Sequence, residues 1–139
     1  AYARRLIALA EERGIAAYLI LPPFVPQLNE RRRQTGAEAK YLTFIRSLQD
    51  RFPRLTVLDA RESGYPASVF VDPIHLDSRG TLALSDDAAT VLRRDLDRPG
   101  EPRPAKRWAR LPDYRERPWL ADLEDFELSR AKVTQSHLH

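Results

Sequence analysis

Apolar residues recur at two different spacings along the first part of the chain, and these spacings predict a helix followed by a strand. Four apolar residues near the start lie at helical spacing: Tyr2, Leu6, Leu9 and Ala10. Gly14 is placed to end this helix. Residues 15–21 then form a continuous apolar run, which is typical of a strand covered on both faces of a parallel sheet.

A second helix and strand are predicted further along. Residues 22–36 contain three prolines and a charged run, so we expect an irregular segment there. One buried helical stripe follows, formed by Tyr41, Phe44, Ile45 and Leu48. It predicts a helix over residues 37–51, which Pro53 prevents from continuing, and a buried strand over residues 55–58 that leads to Asp59. Two strands joined through a helix are nearly always parallel.

The pattern after residue 60 predicts one more short strand and a last helix. Asp59 and Val69 are too close in sequence for a helical crossover, so the apolar triplet 69–71 is interpreted as a brief strand or extended segment at the sheet edge. The last helix is marked by Ala88, Val91, Leu92 and Leu96. Ser85 is a natural N-cap for it, and Pro99 and Gly100 close it.

The composition changes after residue 97, which divides the chain into two parts. Five of the 11 prolines lie in residues 98–139. We expect this part to be a Pro-rich tail that lies across the body, with a possible short helix over residues 120–132. Its anchors would be the irregularly spaced side chains of Trp108, Leu111, Tyr114 and Trp119. Residues 1–97 form the predicted α/β domain.

Length and composition restrict the class of protein. The 139 residues allow one modest core, and the absence of Cys excludes a disulfide, a thiolate zinc site and a cysteine nucleophile. The absence of Met leads us to expect a processed chain or a piece of a longer one. With 42% hydrophobic and 31% charged residues, the chain is typical of globular rather than disordered or membrane proteins. No apolar run reaches the roughly 18 residues of a membrane span.

Charge adds little to this description. Lys and Arg number 23 against 20 Asp and Glu, a net charge of +3. The densest basic cluster is Arg31, Arg32 and Arg33. Because no aromatic residues or nucleic-acid motif accompany it, we expect a solvated loop and no nucleic-acid partner.

One segment, Asp72-Pro73-Ile74-His75, carries candidate chemistry. His75 follows Asp72 by three residues, and Pro73 restricts the backbone between them. The carboxylate can then accept a hydrogen bond from one ring nitrogen, leaving the other nitrogen to act as a base. This is the Asp-His half of a hydrolytic triad. The alternative is a capped turn with a satisfied imidazole.

The sequence around this segment resembles a known block. FVDPIHLDSRG, followed by LALSDDAATVL, is similar to the last conserved block of the SGNH/GDSL hydrolase superfamily, in which an Asp-x-x-His loop precedes the C-terminal helix. The matching residues are Phe70, Asp72, Pro73, His75, Leu76, Gly80, Leu84 and Ser85. The resemblance covers about residues 2–97 and is closest to divergent bacterial SGNH-like proteins, related to polysaccharide O-acetyltransferases and acetylesterases.

The resemblance implies a three-layer α/β/α, flavodoxin-like fold with a parallel sheet whose N-terminal part is missing. Asp72 would orient His75, and His75 would activate a serine. The family's Gly-Asp-Ser and oxyanion blocks do not occur in this sequence, and Asp77 stands where the family more often has Asn. We therefore expect the C-terminal part of a serine esterase or acyltransferase, inactive alone and without cofactor.

The same resemblance implies substrates, partners and a compartment. The substrate would be a small acyl ester or an acylated polysaccharide, and the compartment the cell envelope. A fold lacking its N-terminal part would leave one sheet edge uncovered, through which the chain could associate.

Two alternatives belong to other classes. Asp72, His75 and Asp77 could offer two carboxylates and an imidazole to a divalent ion, although three ligands within six residues rarely surround a metal. The other alternative is a non-catalytic SGNH-like module that binds an acidic partner or a polysaccharide.

Overall fold

The computed structural model describes residues 2–97 and 105–117, and within them the chain is a mixed α/β structure. Its helices and strands, in chain order, are α1 (Tyr2–Glu12), β1 (Tyr18–Leu21), α2 (Pro26–Gln34), α3 (Ala37–Arg51), β2 (Thr56–Asp59), a 3-10 turn (Ala67–Val69), α4 (Ser78–Leu96) and β3 (Trp108–Arg110). In the part of the chain described, no helix combines the length and apolar character needed to cross a membrane.

The three strands form one parallel sheet in the order β1-β2-β3. Leu19 pairs with Val57, and Asp59 pairs with Arg110. The predicted parallel pairing of the first two strands is therefore confirmed. The first strand is shorter than predicted, since it begins at Tyr18 and not at residue 15. It lies at one edge of the sheet, and association through that edge stays a prediction.

Helix α3 has the predicted bounds and covers the sheet. Its buried side chains Ile45 and Leu48 pack in one cluster with Leu21 of β1 and Val57 of β2. Phe52 is the C-cap residue of the helix, and its backbone N–H donates to the carbonyl of Leu48. Pro53 follows directly and cannot continue the helix. The apolar stripe was sufficient to predict this helix because its period and its termination signal agree.

Helix α1 is present, but the apolar residues that predict it do not form its buried face. Tyr2 and Leu6 are 87% and 70% exposed, whereas Ile7 and Ala8 pack against the core. Gly14, at φ 69°, adopts the left-handed conformation expected just after a helix end. The spacing predicted the helix correctly, but the face that meets the sheet is chosen by tertiary packing, which spacing alone does not reveal.

The irregular segment predicted over residues 22–36 contains a helix instead. Pro26 is the first residue of α2, a position where its missing N–H is not needed and its fixed φ suits a helix. Arg31, Arg32 and Arg33 lie in the last turn, where positive charge is favourable, and not in a solvated loop. Prolines commonly interrupt regular structure, but Pro26 starts a helix here.

The brief strand or extended segment predicted at residues 69–71 is found in part, since Phe70 is extended, at φ −119° and ψ 140°, but does not join the three-stranded sheet. A 3-10 turn, Ala67–Val69, occupies this region, and Phe70 and Leu76 then form an isolated antiparallel bridge. The last helix starts seven residues before the predicted N-cap Ser85. Its N-cap is Asp77, whose side chain accepts a hydrogen bond from the backbone N–H of Gly80 at 2.9 Å.

The third strand comes from the segment predicted to be a tail. Trp108–Arg110 pairs with β2, and Leu111, which follows, is buried among Leu58, Ala60 and Ala88. No strand is predicted here, because a strand of three residues is too short to show a pattern of alternation. Trp119 and the predicted helix over residues 120–132 lie outside the described residues. The division of the chain at residue 97 stays a prediction.

Candidate functional site

Asp72 and His75 lie at the tip of a short hairpin, residues 69–77, which we name the Asp-His hairpin. The backbone N–H of Asp77 donates to the carbonyl of Val69, and that of Val71 donates to the carbonyl of His75, both at 2.9 Å. The bridge between Phe70 and Leu76 lies between them. These contacts fold the chain back on itself, so that residues 72–75 form an exposed tight turn.

The tip is organised by the Asp72 carboxylate. Its Oδ1 accepts hydrogen bonds from the backbone N–H groups of Ile74 and His75 at 2.9 and 2.8 Å. Its Oδ2 lies 2.7 Å from Nδ1 of His75. The hydrogen bond with the His75 ring, followed by that from the Ile74 amide, lowers the pKa of Asp72. The carboxylate is therefore ionised at neutral pH, and the contact predicted from the sequence is present.

The pair is exposed to solvent. The His75 side chain is 67% exposed and that of Asp72 is 46% exposed. With Nδ1 donating to the carboxylate, the lone pair of a neutral ring lies on Nε2, which has no hydrogen-bond partner among residues 2–97 and 105–117. The arrangement can accept a proton from a group brought to Nε2. The catalytic roles of Asp72 and His75 stay predictions.

The base of the hairpin rests closely on α4. A Cβ atom added to Gly80 would lie 2.8 Å from the carbonyl oxygen of Val69 and 2.7 Å from Cδ2 of Leu76. Only a glycine therefore permits this approach without displacing the hairpin. Arg79 adds a second attachment, because its Nη2 donates to the carbonyl of Ser68 at 2.5 Å and to Asp77 at 2.7 Å.

The tip of the hairpin is attached to the loop that follows β1. The backbone N–H of Val25 donates to the carbonyl of Pro73 at 3.2 Å. Val25 is also the N-cap residue of α2. The Asp-His pair is thereby placed beside the carboxyl end of the first strand, the edge at which open parallel sheets gather their sites.

A cleft of about 200 Å³ opens at this same edge. Its walls come from the loop after β1, from α2 and from the loop after β2. The residues are Pro23, Phe24, Pro26, Asn29, Arg33, Arg61, Glu62, Gly64 and Tyr65. Nη2 of Arg33 lies 2.8 Å from both carboxylate oxygens of Glu62, an ion pair that joins α2 to the loop after β2. The cleft thus combines an apolar wall with charged and amide groups.

A buried carboxylate beneath the cleft holds its inner side together. Asp59 Oδ1 accepts from Nε of Arg61 at 2.9 Å, and its Oδ2 accepts from Nη2 of Arg61 at 2.6 Å and from the indole of Trp108 at 2.8 Å. Burial by itself would raise the pKa of Asp59, but these hydrogen bonds outweigh burial and hold the pKa below its usual value. The ionised carboxylate fixes Arg61 at the cleft wall.

Arg61 continues this network into the helices. Its Nη1 donates to Oε1 of Glu38 in α3, and Oε2 of Glu38 accepts from Arg32 of α2 at 3.1 and 3.2 Å. The Arg32 guanidinium lies 4.6 Å from the ring centre of Phe24, a cation–π distance. The sequence marks Asp59 at the end of a buried strand but does not identify its partners. The Asp59–Arg61 spacing at a strand end was the available signal, whereas nothing local pointed to Glu38 or Trp108.

The alternative of a metal site is not favoured by the geometry. Both oxygens of Asp77 are engaged, one by the Gly80 amide and the other by Arg79. No group of three or more His, Cys, Asp or Glu side chains able to hold a metal ion occurs within the described ranges. The hairpin therefore brings together Asp72 and His75 but not the third expected ligand.

No serine hydroxyl is hydrogen-bonded to His75 in the part of the chain that the structure describes. Ser63 is buried and donates to the carbonyl of Leu111 at 3.1 Å. No protein-family model, curated protein or solved structure matches this chain. The hairpin and the neighbouring cleft are thus the features on which a function can be argued.

Proposed function

We propose that the chain supplies the Asp-His pair of an SGNH-type serine esterase or acyltransferase, in which His75 activates a serine carried by another part of the polypeptide. The observation that carries the proposal is the 2.7 Å contact between Asp72 Oδ2 and His75 Nδ1, which leaves Nε2 open to a reacting group. The three-layer flavodoxin-like architecture belongs to the same proposal, and the parallel α/β sheet is consistent with it.

The chemistry follows from the two ring nitrogens. Nε2 of His75 takes the proton of the serine hydroxyl while the serine oxygen bonds to the acyl carbon of the ester. The imidazolium then returns this proton to the alcohol oxygen as the ester bond breaks. Water or an acceptor hydroxyl completes the cycle by removing the acyl group. Asp72 stays ionised, holds the ring in one tautomer and stabilises its positive charge.

The cleft supports a substrate with both apolar and polar groups. Phe24 and Pro26 offer an apolar wall, and Asn29, Arg33 and Glu62 offer hydrogen-bonding groups. A small acyl ester or an acylated polysaccharide, the substrates that the family resemblance implies, would fit this combination. The cleft adjoins the hairpin through Val25, which follows Phe24 and contacts Pro73.

The test is hydrolysis of an acetyl ester by the natural polypeptide that contains this chain. We expect His75→Ala and Asp72→Asn to lower kcat by about 10⁴-fold, because the base or its tautomer is lost. Asp50→Asn is the matched control, since Asp50 is an exposed carboxylate whose partner is Lys106, and we expect it to retain full activity. Undiminished turnover in His75→Ala would contradict the proposal.

The exposure of the pair favours a second candidate, a non-catalytic module that binds a polysaccharide. The carboxylate of a working triad is buried, whereas the Asp72 side chain is 46% exposed. Under this alternative, the natural polypeptide binds an acetylated polysaccharide without hydrolysing it, and His75→Ala leaves the binding affinity unchanged. Release of acetate from the bound polymer would exclude this alternative.

A further inference from the structure

We propose that the backbone N–H of Val25 positions His75 for its reaction, by holding the tip of the Asp-His hairpin against the loop that walls the cleft. The inference rests on the proposed function, because it concerns where the base stands relative to a substrate in the cleft. Val25 is a positioning residue, because its N–H binds the carbonyl of Pro73 and not His75 or a reacting atom.

The tip has few other attachments. Residues 71–75 are all exposed. Their other hydrogen bonds stay within the hairpin and join Asp72 to Ile74 and His75, or Val71 to His75. Among the residues that the structure describes, the bond from Val25 to Pro73 is the only hydrogen bond from the tip to another segment. It is therefore the hydrogen bond that ties the tip to the loop after β1.

The amide of Val25 is well suited to this task because the helix does not need it. The carbonyl of Val25 accepts from the N–H groups of Leu28 and Asn29 in the first turn of α2, whereas its own N–H points away from the helix to Pro73. Pro26, the next residue, has no N–H to compete for the same carbonyl. The start of α2 and the hairpin tip are thus joined by one directed bond.

The connection links the base to the cleft. Phe24 lines the cleft and directly precedes Val25, so a substrate seated against Phe24 lies one residue from the group that holds the tip. A general base must lie within about 3 Å of the proton it removes, and a displacement of about 1 Å costs about 100-fold in rate. The bond from Val25 would keep the distance between cleft and base constant.

A proline substitution removes this bond selectively. Val25 has φ −54°, a value that proline adopts without strain, and proline has no N–H. Val25→Pro therefore deletes the donor while it keeps the backbone path into α2. Val25→Ala is the matched control, because it shortens the same side chain but retains the N–H.

We expect Val25→Pro, made in the natural polypeptide, to lower kcat on p-nitrophenyl acetate by about tenfold, with KM changed less than about twofold. Val25→Ala should stay within about twofold of the unaltered protein in both constants. In NMR spectra of protein labelled at histidine, the His75 ring signals should shift and broaden in Val25→Pro alone. Equal behaviour of the two variants in rate and in ring signals would overturn the inference.

Failure of the proposed function would look different. If the unaltered polypeptide hydrolyses no ester, the SGNH proposal fails, and the His75 ring signals of the two variants still decide whether Val25 positions the ring. If Val25→Pro does not fold, hydrogen exchange in the unaltered protein decides: the Val25 amide should exchange more slowly than the free rate of an exposed amide. Exchange at the free rate would overturn the inference.

Discussion

The indole N–H of Trp108 donates a hydrogen bond to Oδ2 of Asp59 across 2.8 Å. This bond joins β3 to the carboxyl end of β2 and ends on the carboxylate that also holds Arg61 at the wall of the cleft. The segment after residue 97 therefore contributes to the candidate site, although the other residues of the site lie far from this segment in sequence. The stability of the sheet and the shape of the cleft depend on the same buried group.

Trp108→Phe should weaken folding while it keeps the aromatic contact with the core. The variant deletes one hydrogen bond to an ionised, buried acceptor, for which we expect a loss of about 1.5 kcal/mol in the free energy of unfolding. Urea unfolding at pH 7 measures it. Arg110→Ala, an exposed change on the same strand, is the control and should cost less than about 0.5 kcal/mol. Equal losses in the two variants would contradict a role for the indole N–H.

Asp59→Asn should make the free energy of unfolding less dependent on pH in the acid range. The pKa of Asp59 is lowered in the folded protein, so its contribution is present above the unfolded value of about 3.9 and is lost as the pH falls through the folded value. At pH 7 we expect a loss of about 3 kcal/mol, because the charge of buried Arg61 loses this partner. Unfolding curves between pH 2 and pH 7 measure both effects, and the gap between variant and natural protein should narrow in acid.

The control for this change is Asp50→Asn, which removes an exposed carboxylate of the same type. It should change the free energy of unfolding by less than about 0.5 kcal/mol at either pH. An equal gap between Asp59→Asn and the natural protein at pH 2 and pH 7 would show that the depressed pKa does not contribute to stability.

Arg117→Gln should destabilise the protein more at neutral pH than in mild acid. Arg117 binds Asp86 at 2.9 Å and the buried Asp87 at 2.8 Å. Burial raises the pKa of Asp87, so the folded state gains stability at low pH that is lost as the pH rises through the folded value. Removing the guanidinium should therefore lower the free energy of unfolding by about 2 kcal/mol at pH 7. The decrease should be smaller in mild acid, where Asp87 takes up a proton.

Thermal unfolding of Arg117→Gln at pH 4 and pH 7 measures this difference. Arg94→Gln, which alters an exposed residue near the end of α4, is the control and should show no pH-dependent loss. A loss that is the same at both pH values in Arg117→Gln would assign the effect to packing of the arginine side chain and not to Asp87.

Gly80→Ala should destabilise the protein although alanine is the better helix former. In an ordinary helix position the change would stabilise by about 1 kcal/mol. Here the new Cβ would lie 2.8 Å from the Val69 carbonyl, so the hairpin must move, and we expect a net loss of about 2 kcal/mol. Ala89→Gly, on an exposed position of α4, measures the ordinary propensity for comparison. A stabilised Gly80→Ala would show that the close approach is absent.

The site was predictable from the sequence where its contacts are local. Asp72 and His75 are three residues apart, and Pro73 limits the backbone between them, so their hydrogen bond depends on little else in the chain. Helix α3 was predictable for a similar reason, since its stripe and its terminating proline lie within one segment. The start of α4 was not, because Ser85 and Asp77 are both acceptable caps and packing of the hairpin on Gly80 selects the earlier one.

The sequence by itself determined the order of the first two strands and the position of α3, one of the two helices between them. It also determined the Asp72–His75 contact, because each of these features follows from local spacing along the chain. Only the tertiary structure decided which face of α1 is buried, that Trp108–Arg110 enters the sheet, and that Glu38, Asp59 and Arg61 share one network. These features bring together residues that are distant in sequence. Their free energy comes from packing and buried charge, which no local pattern records.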